Sequence, residues 1–82
     1  MDSSYISSAH AVREFAQSSI WQDLTLTIGD WLEDTRDKLE AENDALEIRR
    51  YQGIAECLRN VLNLPESTIA MIEMQEEDSN GV

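Results

Sequence analysis

Eighty-two residues with one cysteine, one histidine, one proline and three glycines describe one small domain at most. A lone Cys57 excludes an internal disulfide. A chain this short buries only roughly 60% of its unfolded surface, so its 41% hydrophobic content must serve a regular helical core, self-association or docking on something larger. Seventeen acidic against six basic residues, a net charge of −11, oppose binding of nucleic acid through its phosphates.

The opening Met1-Asp2-Ser3-Ser4-Tyr5-Ile6 carries neither a basic nor an apolar stretch, so no secretory signal is expected. No apolar run approaches the roughly 18–20 residues of a membrane span. Both features point to a soluble chain in a reducing cytoplasm, with Cys57 a free thiol. Its place between Glu56 and Leu58, in a helical apolar pattern, predicts a small core residue rather than a reactive one. Residues 1–7, rich in serine, read as an extended arm. Residues 8–17 read as a short helix with Val12, Phe15 and Ala16 on one side, and 1–17 together make an N-terminal arm.

From 20 to about 41, Trp21, Leu24, Ile28, Trp31, Leu32, Thr35 and Leu39 recur at spacings of three and four, which predicts a helix with one apolar face. Ser19 with Gln22 matches a capping box, and Asp23 suits the first turn. Taken alone, Leu24-Thr25-Leu26-Thr27-Ile28 alternates like a strand, but the helical pattern continues on both sides of it while the alternation stops. Glu42-Asn43-Asp44 breaks the face, and Asp44 with Glu47 looks like a second cap. A second helix is predicted over 45–63, burying Ile48, Tyr51, Ile54, Ala55, Leu58, Val61 and Leu62. So short a turn predicts an antiparallel hairpin over 18–64. A turn centred near Asn43 sets Gly29 level with Cys57 and Gly53 level with Glu33. These glycines either let the helices approach closely or mark a local kink.

Pro65 suits the first turn of a short third helix over 65–75, followed by an acidic C-terminal tail, so that 65–82 forms a short helix and tail. The expected fold class is all-α. Charge is uneven along the chain: residues 23–47 carry −7, 48–65 carry +2 and 66–82 carry −5.

No phosphate-binding glycine loop, paired-cysteine motif or metalloprotease motif appears. His10 lacks a fixed third group for a triad. Asp30, Glu33, Asp34 and Asp37 lie at helical spacings without the inward Glu and ExxH pattern of helical di-metal sites, and read as a solvated face. No catalytic, cofactor or metal residue is assigned, and no enzyme activity is expected. Trp21 and Trp31, ten residues apart, share roughly one face, where they serve either as core or as interface. A two-helix hairpin covers about one such ring, so surplus apolar area is expected to meet a protein partner. The candidate contact residues are Phe15, Trp21, Trp31, Ile69 and Met74, with Arg49 and Arg50 as ion-pair formers.

The stretch Ser19-Ile20-Trp21-Gln22-Asp23-Leu24, a charged helix, a short turn, then Glu47-Ile48-Arg49-Arg50-Tyr51-Gln52-Gly53-Ile54-Ala55-Glu56-Cys57-Leu58 leading to Leu64-Pro65-Glu66 resembles small acidic helical-hairpin proteins of tailed bacteriophages, encoded among structural and assembly genes. The resemblance covers about residues 18–67 and carries over no functional residue. It implies a virion structural or assembly role contacting capsid, portal or neck subunits, made in the host cytoplasm and placed in the virion. Multiple copies or a homo-oligomer are expected, with no direct nucleic-acid or membrane contact. The alternative reading of the charge is an acidic inhibitor that imitates the phosphate track of DNA and blocks a host nucleic-acid enzyme.

Overall fold

A computed structural model describes residues 4–80. It contains four helices, α1 (Ala9–Ala16), α2 (Ser19–Ala41), α3 (Ala45–Leu62) and α4 (Leu64–Asn80), and no strand among the described residues. The all-α class is therefore observed. Residues 1–3 of the expected arm and 81–82 of the expected tail lie outside the described residues.

Each of the first three helices begins on a side-chain cap that accepts one of its otherwise unpaired N–H groups. Ser8 Oγ accepts from Ala11 N at 3.1 Å, Ser18 Oγ from Trp21 N at 3.2 Å and Asp44 Oδ1 from Leu46 N at 2.9 Å. The cap of α2 is thus Ser18, one residue before the predicted Ser19. Between α2 and α3, the Glu42 carboxylate accepts from both Asn43 N and Asp44 N at 3.0 Å, while Glu42 N donates back to Leu39 O at 3.4 Å. A single residue, Asn63, separates α3 from α4.

The alternating stretch 24–28 lies inside α2. Its threonines fit a helix because their hydroxyls donate to carbonyls about one turn back, Thr25 to Gln22 O at 2.7 Å and Thr27 to Asp23 O at 3.4 Å. The buried Thr35 does the same to Trp31 O at 2.9 Å, which leaves its hydroxyl satisfied inside the core. The last helix departs from the sequence expectation: α4 runs through Asn80 and takes residues 76–80 of the predicted tail into the helix. Glu76-Glu77-Asp78 contains no breaker, and glutamate is a competent helix former, so nothing stops the helix at Gln75.

The helices pack as two pairs, α2 with α3 and α1 with α4. Among the described residues no Cα of α1 comes within 8 Å of α3, nor any of α2 within 8 Å of α4. There is consequently no four-helix core. Ile28, Leu32, Thr35 and Ala55 are buried in the first pair, Ala9 and Ile72 in the second. The α1–α4 pair is further tied by an Arg13–Glu73 ion pair and by Gln75, which hydrogen-bonds the backbone of Tyr5. The molecule measures 54 × 30 × 16 Å with a radius of gyration of 16.9 Å, against about 12 Å for a compact domain of this length.

Two packing expectations are corrected, and one of the two readings of the glycines is removed. Cys57 is exposed, because two residues on from the buried Ala55 a helix has turned to its opposite side. Ile54 is 42% exposed instead of buried, since it sits a quarter-turn off the line facing α2. A Cβ on Gly29 or Gly53 meets nothing within 4 Å, so neither glycine serves a close approach of helices.

Candidate protein interaction surface

The corner between α1 and α2 is built by Ser18. Its hydroxyl accepts from Trp21 N and also donates to Phe15 O at 2.6 Å, while Gln22 Nε2 donates to Gln17 O at 3.2 Å. The corner brings Phe15 and Trp21 together, their ring centroids 5.5 Å apart and tilted by 43°, within the distance over which aromatic rings attract. Trp21 is half-buried there, and Phe15 stays 46% exposed.

Trp31 stands elsewhere, near the middle of α2, and is 58% exposed. Arg49 and Arg50 are exposed on α3. Arg50 pairs with Glu47 at 2.8 Å and lies over the Tyr51 ring, 5.4 Å from its centroid. Tyr51 first, and then the charge of Glu47, hold its guanidinium above the ordinary arginine pKa. On α4, Met74 is exposed and Ile69 half-buried. Of the seven candidate residues, Phe15 and Trp21 are in ring contact at the α1–α2 corner, Trp31, Arg49 and Arg50 lie on the α2–α3 pair, and Ile69 and Met74 lie on α4.

Residues outside that set extend the apolar surface. Ile20 and Leu24 share the side of α2 that shows Trp31, and Ile54 is its counterpart on α3. Their signal in the sequence is the width of the apolar arc, which exceeds what one neighbouring helix can cover. The whole chain exposes 6552 Å², against about 5,000 Å² for a folded monomer of 9.3 kDa.

Among the described residues no cavity forms, and no group of three or more His, Cys, Asp or Glu stands close enough to hold a metal ion. His10 is exposed, with Nε2 3.2 Å from Glu14 Oε1 one turn on. No described helix is long and apolar enough to cross a membrane. Comparison with protein-family models, with curated proteins and with solved structures finds no match to this chain.

Proposed function

We propose that this chain is a non-enzymatic helical interaction protein of the phage structural or assembly kind, docking on capsid, portal or neck subunits. In this reading α2 and α3 form an antiparallel hairpin that presents apolar surface, and the flanking α1–α4 pair supplies further contacts through Phe15, Ile69 and Met74. The observation that carries it is the surplus of exposed apolar side chains, headed by a tryptophan, on a molecule with an exposed area of 6552 Å². The likeness of residues 18–67 to phage hairpin proteins supports the choice of assembly. Mass spectrometry of purified particles and assembly intermediates tests it. The chain is expected in them in multiple copies, and its absence from both overturns the reading.

One observation favours a second reading as an acidic DNA mimic: Asp30, Glu33, Asp34 and Asp37 are all exposed on α2. That reading requires salt-sensitive binding to a host nucleic-acid enzyme in competition with DNA. Failure to displace DNA removes it.

A further inference from the structure

We propose that the apolar face of the α2–α3 pair is the seat of a second copy of this chain. The two copies pack face to face with both turns at the same end, α2 of each lying over α3 of the other. The inference rests on the reading of the chain as an interaction protein and names one of its partners.

On α2, Ile20, Leu24 and Trp31 fall four and then seven residues apart and are 67%, 46% and 58% exposed. Their line is turned by about 80° from the inward line through Ile28, Leu32 and Leu39. On α3, Ile54, Leu58 and Val61 make a partly exposed line. It is turned by about 90° in the same rotational sense from the line through Ile48, Ala55 and Leu62. Reversing the chain direction between two helices mirrors that sense, so both lines emerge on one side of the pair. A turn centred on Asn43 sets Trp31 level with Ala55 and Leu24 level with Leu62, which places Trp31 beside Ile54 and Leu24 beside Val61. The other side of the pair shows Glu33, Arg36 and Glu40 from α2 with Arg49, Gln52 and Glu56 from α3, all exposed. One face is apolar and one is charged.

Area and charge select the occupant. The chain exposes about 1,600 Å² more than a folded monomer of its mass, whereas a standard interface takes about 800 Å² from each partner. One such face therefore fits within the excess and leaves surface for a larger assembly. Residues 23–47 carry −7 and residues 48–65 carry +2. Laying α2 over α3 of the other copy holds the two acidic helices on the diagonal. Asp30 and Asp37 point from the side of α2 away from α3, off the contact. Lys38 and Glu47 close the turn end of the apolar face at nearly the same level. With the turns together, Lys38 of each copy meets Glu47 of the other. Within one copy these residues are held by neighbours one turn away, Lys38 by Asp34 at 3.0 Å and Glu47 by Arg50 at 2.8 Å.

Sedimentation equilibrium of the purified full chain across the micromolar range tests the proposal, with helicity checked by circular dichroism. The wild type is expected at twice the chain mass. Lys38→Glu and Glu47→Lys are each expected to weaken association roughly tenfold, and mixing the two variants to restore it, because both contacts are then between opposite charges. Trp31→Glu is expected to yield single chains, while Leu26→Glu, at an exposed position off the face, leaves the dimer intact. In a Trp21→Phe variant the remaining indole should gain protection from quenchers as concentration rises. Single chains at every concentration, a mixture that fails to reassociate, or Leu26→Glu as disruptive as Trp31→Glu overturns the second copy. Single chains that still enter particles overturn this inference and leave the assembly role standing; a dimer absent from particles does the reverse.

Discussion

The side-chain amide of Gln75 grips both polar groups of the Tyr5 backbone, accepting from its N–H at 3.0 Å and donating to its carbonyl at 3.3 Å across 70 residues of sequence. It supplies backbone partners to a segment that belongs to no helix. Gln75→Ala removes both bonds at an exposed site, so its cost to the stability of the α1–α4 pair should be about 1 kcal/mol or less. Amide exchange at Tyr5 should nevertheless accelerate clearly. Unchanged exchange there would show that the arm is held by other contacts.

Gly29 and Gly53 lie inside helices with open space where a Cβ would stand. Alanine at either position removes the flexibility penalty of glycine without a clash, so Gly29→Ala and Gly53→Ala should each stabilise the protein by about 0.5–1 kcal/mol. Urea midpoints would shift upward. A downward shift would mean that one of these glycines meets a neighbour after all.

Trp31 and Ile72 should respond in opposite proportion to their size. Ile72 is 1% exposed and Trp31 58%. Truncating Ile72→Ala leaves a void between α1 and α4 and should cost about 2–5 kcal/mol. Trp31→Ala should cost about 1 kcal/mol or less in dilute solution, with the penalty growing as protein concentration rises. Paired urea titrations at two concentrations read both effects.

The caps provide a further measure of local structure. Asp44→Ala and Ser18→Ala should each lose about 1 kcal/mol. Ser18→Ala should also alter Trp21 fluorescence, because the Ser18 hydroxyl joins Trp21 N to Phe15 O at the corner. A Ser19→Ala change, one residue inside the helix, should leave that emission unmoved.

Much of the helical layout was legible because its signals are local. The spacing of Ile28, Leu32, Thr35 and Leu39 marks a helix whatever surrounds it, and Asp44 announces the start of α3 by its own chemistry. The site was less legible, since exposure depends on which neighbour covers each side. Cys57 and Ile54 belong to an apolar pattern wide enough for two partners, and only packing reveals that α3 has one close neighbour over most of its length. The end of α4 is hidden for another reason: a run of acids reads as tail by charge, although glutamate is a good helix former and the run holds no breaker. Phe15 and Trp21 meet only through the backbone angle at Ser18, which no periodicity encodes.

With no approach between α1 and α3 or between α2 and α4, melting one pair strips the other of almost nothing beyond the joints at 17–18 and 63. Heat or denaturant should therefore meet two loosely coupled cooperative units instead of a single all-or-none transition. The α1–α4 half, in which only Ala9 and Ile72 of the described apolar side chains are fully shielded, should melt before the α2–α3 half.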